Sequence, residues 1–341
     1  MAQKRIRVGV QTAVAGARTG PTKITLREAL VGLQLVLYGV YTVPAGGATI
    51  KEDSIMRLLR RIELQLGGSP RKVWGDNSQY GAAGRVMYRL AQIMDGRRPE
   101  YSAPAATEGA NAFRLALPVH FRLPDNAFPN MRSFDREVTA YLPGLTGEDL
   151  EMYIDWGTAA DVSDTANVAL TSATCEIIAV SDTDLTERAL ALVEAGRKPF
   201  PYFLDESTQA IQLSTAAASA EEQDLNRLGY EPFCLLGCID NGLANDAVLN
   251  RLAFLANVGE KQLDGSWDFF RSEFARKAKS AANVDAGWAL ADYDGAGDMS
   301  GALALNDPTR IGSWRVSADH DALDNDPASR LLVHHVAERA L

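Results

Sequence analysis

The chain has 341 residues, 46% of them apolar and 23% charged, with a formal net charge of −10. That length serves two domains with their own cores, and the composition excludes a disordered chain. The longest apolar stretch, Leu30 to Tyr41, carries Gln34 and is broken by Gly32 and Gly39, so it falls short of a membrane span.

The charge is uneven. Residues 1–27 hold Lys4, Arg5, Arg7, Arg18, Lys23 and Arg27 and no acid. This reads as a basic N-terminal arm on an acidic body, with Lys4, Arg5, Arg7 and Arg18 able to face phosphate in nucleic acid or lipid headgroups. A solubilising terminus is the plainer reading. The basic start is followed by no apolar leader, so synthesis and folding in a cytoplasm are expected.

Val31 to Val43 reads as a strand and stops at Pro44-Ala-Gly-Gly47. Arg61 to Leu66 alternates polar and apolar residues and stops at Gly67-Gly-Ser-Pro70. Asn77 to Met94 reads as a helix, capped by Asn77 or Ser78, with Val86, Leu90 and Ile93 on one face. Strands follow at Phe113–Phe121, Leu150–Trp156 and Ala173–Val180. Pro118 assigns the first of these an edge or a bulge, because proline cannot donate to a ladder. Asp182 to Lys198 is polar and helix-prone and reads as a linker. Strands at Gln209–Ser214, Phe233–Ile239 and Arg251–Asn257 precede a second helix, Ser266 to Ala281, with Trp267, Phe270 and Phe274 on one face. Strands at Trp288–Tyr293, Trp314–Ala318 and Arg330–Ala337 end the chain. Strands, one helix and three strands thus occur twice, which fits two β-sandwiches and not a wound parallel sheet.

On these elements the chain resembles the double jelly-roll major capsid proteins of tailless icosahedral bacteriophages. The likeness rests on Arg61-Ile-Glu-Leu-Gln-Leu-Gly-Gly68 with Phe113–Phe121, and on Gly287–Asp294, Gly297–Leu303 and the alternating stretches near Trp314 and Val333. It implies an all-β chain of two tandem jelly rolls, each with one inserted helix. The expected division is 1–27 arm, 28–183 first roll, 184–199 linker and 200–341 second roll. It further implies a coat subunit of the virion that forms homotrimers and tiles an icosahedral shell. Its partners would be copies of itself and minor capsid or penton proteins. Lys4, Arg5, Arg7 and Arg18 would face an internal membrane or the genome. Residues 101–112 and 161–166 would be exposed loops.

Little in the chain points to catalysis, a cofactor or a metal. The Walker lysine loop, the nucleophile elbow, the zinc-protease helix and the dinucleotide fingerprint are all missing. Asp292 to Leu303 begins like a calcium loop but places Leu303 where a bidentate glutamate is needed, so it reads as a turn. Asp319-His-Asp321 is a weak ligand set, and His334 and His335, adjacent on a strand, face opposite ways. Cys234 and Cys238 share one strand face and, like Cys175, read as buried free thiols. Two rival readings remain. One is a carbohydrate-binding or carbohydrate-cleaving two-domain β-sandwich, with Trp288, Tyr293 and Trp314 lining a groove. The other is a phage tail or spike component.

Overall fold

A computed structural model describes residues 3–67, 72–75, 83–132, 140, 149–197, 202–240, 242–257, 259–305, 307–323 and 330–340. The first half supplies strands β1 (Gln3–Thr12), β2 (Arg18–Ile24), β3 (Ala29–Val43), β4 (Leu59–Leu66), β5 (Lys72–Gly75), β6 (Glu100–Ser102), β7 (Gly109–His120), β8 (Leu150–Trp156) and β9 (Ala169–Asp182). Helix α1 (Ala83–Asp95) lies between β5 and β6, and a 3-10 turn, Ser54–Leu58, leads into β4. A short helix α2 (Ala159–Val162) precedes β9, and α3 (Thr183–Glu194) follows it. The second half supplies β10 (Tyr202–Ile211), β11 (Ala218–Asp224), β12 (Tyr230–Asp240), β13 (Leu243–Ala244), β14 (Leu249–Ala256), β15 (Glu260–Ser266), helix α4 (Trp267–Lys277), β16 (Trp288–Asp292), β17 (Leu303–Ala304), β18 (Trp314–His320) and β19 (Arg330–Ala340).

Every pairing is antiparallel. The first sandwich sets the sheet β1-β9-β3-β7-β6 against β2-β8-β4-β5. In the second, β10-β19-β12 continues to β13, β16 and β17 along one edge of β12, and faces β11-β18-β14-β15. The core order is the same in both. Strands β1, β9, β3 and β7 correspond to β10, β19, β12 and β16, and β2, β8, β4 and β5 to β11, β18, β14 and β15. The expected pair of jelly rolls, each with one helix between equivalent strands, is the observed fold.

Side-chain period explains the layering. On β3, Leu33, Leu35, Leu37, Tyr41 and Val43 point into the core, while Gln34, Val36, Tyr38, Val40 and Thr42 point out. On β8, Leu150, Met152, Ile154 and Trp156 are buried, and Glu151, Tyr153 and Asp155 between them are half-buried. Pro118 pairs with Gln34 of β3 but lies past the reach of β6, which ends opposite Arg114 to Ala116, so on that side β7 is an edge. The caps follow simple chemistry. Asp182 accepts from Leu185 N at the start of α3 and Ser266 from Phe269 N at the start of α4. Arg276 and Lys277 occupy the last turn of α4, where they suit the helix dipole. Helix α1 is described from Ala83, so its proposed caps Asn77 and Ser78 lie outside the described residues.

The basic arm is corrected. Residues 3–12 pair with β9 and residues 18–24 with β8, so this segment is built into both sheets of the first roll. Alternation of Arg5 and Arg7 with Ile6 and Val8 gives an edge strand with outward cations, a common protection for a sheet edge. Strands β1, β2, β11 and β15 are polar along most of their length, which hid them from a hydrophobic pattern.

The opposite faces of β3 predict unequal responses. Leu35→Ala should cost about 2–5 kcal/mol, whereas Val36→Ala, one residue along and outward, should cost under about 1 kcal/mol. Urea denaturation of the dilute chain measures both.

Candidate assembly surfaces and the seam between the rolls

The second roll uses both faces of its larger sheet. Cys234, Leu236, Cys238, Ala289, Ala291, Leu331 and Val333 point into its own core. Their neighbours Leu204, Phe233, Leu235, Ile239, Trp288, Leu290, Leu332 and Val336 point the other way and join the core of the first roll. The two barrels therefore share one continuous apolar body. Phe128 stacks on Phe233 with ring centroids 6.0 Å apart.

A buried ionic group lies within this seam. Asp53, in the left-handed backbone region at φ 60°, receives Arg85 Nε at 3.0 Å and a short bond from Arg89. Arg89 also reaches Asp285 of the second roll at 3.0 Å, and Arg98 reaches the same carboxylate at 2.6 Å. The guanidinium groups of Arg89 and Arg85 lie 5.0 and 5.9 Å from the Trp288 ring centroid. Burial alone would push the Asp53 carboxyl up, but the charges of Arg89 and Arg85 outweigh it and hold it below the ordinary aspartate value. A second tie is Lys277, whose ammonium lies 3.3 Å from Asp292, donates to Ala127 O at 3.2 Å and sits over Phe128 and Phe233. Nothing in the sequence reading singled out Asp53, Arg85, Arg89 or Asp285. The available signal was two arginines at i and i+4 in an otherwise apolar helix, a spacing that puts both on one face.

The expected phosphate-facing residues are mostly neutralised where they stand. Lys4 binds Glu28 at 2.6 Å and Arg7 binds Glu176 at 2.7 Å. Arg18 lies 3.3 Å from Glu63 and 3.8 Å from Asp155, above the Tyr153 ring. Of the four, Arg5 alone has no acidic partner among the described residues.

The other chemistries resolve into packing. His334 faces Thr208 at 2.9 Å and Glu206 at 3.3 Å, while His335 on the opposite face meets Glu231 at 2.9 Å. His320 joins Glu221 at 2.9 Å, and Asp319 accepts from Ala220 N. Asp294 accepts from Met299 N and Gly301 N, and Asp292 pairs with Arg276 and Lys277, so the stretch from Asp292 is a turn closed on itself. Among the described residues no group of three or more acidic, histidine or cysteine side chains is arranged to hold a metal ion. Burial pushes the thiols of Cys175 and Cys238 up to about 12, and that of Cys234 well above its usual value. The groove proposed for a carbohydrate is corrected. Trp288 is sealed in the seam because it points from its sheet toward the first roll, and Trp314, at an inward strand position, is buried against Phe254 and Tyr293 in the second core.

Two closed β-sandwiches of identical strand order, fused through a shared core, define the double jelly-roll class. Solved structures agree on the fold. The major capsid protein of Sulfolobus turreted icosahedral virus is 13% identical, with TM-score 0.73 over 100% of this chain and 97% of that one. PBCV-1 VP54 is 14% identical, with TM-score 0.63 over 99% and 93%. The major capsid protein P2 of bacteriophage PM2 is 13% identical, with TM-score 0.58 over 99% and 97%. The likeness is thus not confined to bacteriophages. No family model matches the chain, and no curated protein matches it in sequence.

Asp53→Ala should cost about 3–5 kcal/mol, because it strands two buried guanidinium groups. The depressed Asp53 pKa contributes stability that is fully present above the unfolded aspartate value near 3.8 and is lost as pH falls through the lower folded value. Asp53→Asn should therefore flatten the acid limb of the stability profile below about pH 4, read from urea midpoints against pH.

Proposed function

We propose that this chain is the major coat subunit of an icosahedral virus, that it associates as a homotrimer, and that trimers tile the shell. The observation that carries the reading is a duplicated jelly roll whose two copies are locked by a buried seam into one unit. The solved structures that share this fold across nearly their whole length are named as capsid proteins. Heterologous contacts between copies of such a unit build closed rings and lattices.

The role is structural and not enzymatic. Buried Asp53, Glu63, Glu231 and Asp292 are each paired with arginine, histidine or lysine inside the sheets and the seam. The protein belongs in the virion after synthesis in the host cytoplasm, with copies of itself and minor capsid or penton proteins as partners. A phosphate-facing arm is not part of the proposal, since Lys4, Arg7 and Arg18 are held by carboxylates of the same roll. The carbohydrate reading loses its support with the burial of Trp288 and Trp314.

Light scattering of the purified chain should give three times the mass of one subunit, and electron microscopy should show a near-hexagonal outline with six density lobes. A monomer at high concentration, or a lone barrel with a glycan in a cleft, would overturn the reading.

A further inference from the structure

A cleft of about 660 Å3 opens at one end of the sheet β1-β9-β3-β7. The strand registers set its floor. Arg5 of β1 pairs with Val180 of β9, Val180 with Gly32 of β3, and Gly32 with His120 of β7, so these four lie in one row across the sheet, and all line the cleft. Three strand spacings of about 4.8 Å put the ends of the row about 14 Å apart. Gly32 is required where it stands, because a Cβ would meet Val119 O at 2.5 Å, and it leaves the middle of the row without a side chain.

Cations gather at both ends of this row. Arg5 stands at one. At the other, Arg97 and Arg98 follow α1 and Arg122 follows β7, with Pro99 and Pro124 restricting the backbone close behind them. The three carboxylates that line the cleft are engaged. Asp95 lies 3.0 Å from His120 Nε2, Glu100 lies 3.5 Å from Arg114, and Asp125 also has a partner. Arg98 is held by Asp285. Arg5, Arg97 and Arg122 are left with no acidic partner among the described residues. The negative end of α1 accounts for arginines at 97 and 98. It does not account for Arg5 and Arg122, which come from other elements and line the same space.

Three guanidinium groups without a counter-ion around one recess suit a multiply charged oxyanion, which each can grip with two parallel hydrogen bonds. The row is long for a single phosphate. No tyrosine, phenylalanine or tryptophan among the described residues lines the cleft, so a nucleobase would find no ring to stack on. A membrane or a long nucleic acid would also meet the rest of the chain, whose net charge is −10. A small ligand seated in the cleft feels mainly the charges within a Debye length of about 8 Å.

We propose that this cleft binds a short, soluble chain of phosphate groups, with Arg5 at one end and Arg97 and Arg122 at the other. The ligand ties the first strand of the chain to the far side of its sheet, so occupancy stabilises the first roll. The inference goes beyond the coat reading and does not depend on it.

Calorimetric titration of the full chain with inorganic tripolyphosphate should show one site per chain, and inorganic phosphate should bind about tenfold more weakly or worse. Arg5→Ala, Arg97→Ala and Arg122→Ala should each weaken tripolyphosphate binding about tenfold, with folding checked by circular dichroism. Arg60→Ala, at an exposed arginine outside the cleft, should leave the affinity unchanged. Absence of saturable binding, an equal loss in Arg60→Ala, or full affinity in any of the three cleft variants overturns the inference. So does capture of the chain by phosphatidylcholine vesicles containing phosphatidate that tripolyphosphate does not displace. Should an alanine variant misfold, the unaltered chain decides. Its melting temperature should rise with tripolyphosphate and not with sodium chloride of equal ionic strength, and no such difference overturns the site. A monomeric chain that binds tripolyphosphate would overturn the coat reading alone.

Discussion

A single carboxylate held between two buried guanidinium groups fixes how the barrels sit. Asp53, Arg85 and Arg89 lie in the first roll, and Arg89 extends the group to Asp285 while its flat face meets Trp288 in the second. Taking four charges out of water is costly, and a well-packed apolar patch could replace them at no loss of stability. The attraction that closes the seam comes from the side chains around the charges, from Phe128, Phe233, Leu235, Leu290 and Val336. The ionic group adds direction, which apolar contact lacks. Two barrels of the same strand order offer each other many similar sheet faces. In the observed placement Arg89 meets Asp53 of its own roll and Asp285 of the other.

That placement explains a contrast between β12 and β3, which occupy the same position in their rolls. Strand β12 runs Phe233-Cys-Leu-Leu-Gly-Cys-Ile239 with no polar alternation, and both of its faces are covered. A continuous apolar run is the signature of a strand buried on two sides. Strand β3 keeps a half-apolar outer face: Ala29 and Val31 are covered by Leu185 and Ala189 of α3, while Val36, Tyr38 and Val40 are only partly covered or exposed. The outer residues are therefore more apolar than a face left permanently in water requires.

Legibility in the sequence followed alternation. The bounds of Leu150–Trp156 match the observed strand, and the strands at 61–66, 113–121 and 314–318 are legible because polar and apolar residues trade places every second position there, whereas 31–43 is legible from its Val, Leu and Tyr content. Strands such as β11, Ala-Ser-Ala-Glu-Glu-Gln-Asp, lack that signal and form because β18 offers a ladder beside them. The N-terminal cations misled for a related reason. A window of 27 residues shows six cations and no acid, but four of them, Lys4, Arg7, Arg18 and Lys23, meet Glu28, Glu176, Glu63, Asp155 and Glu151, which only the sheets bring near. The seam was hidden in the same way, since Asp53 and Asp285 lie far apart in the chain and meet only through Arg89.

The two helices show the same contrast. Helix α1 is buried on all sides, yet Val86, Met87, Leu90, Ile93 and Met94 share one side of it, and Arg85, Arg89 and Gln92 occupy another. Its two arginines are tolerated because Asp53 and Asp285 meet them. Helix α4 has the same place in the second roll, yet its apolar stripe is narrow and its other side carries Asp268, Ser272, Glu273 and Arg276. The difference between the helices follows from position: α1 is enclosed by the seam, whereas α4 reaches it only through Phe274, Lys277 and Ala278.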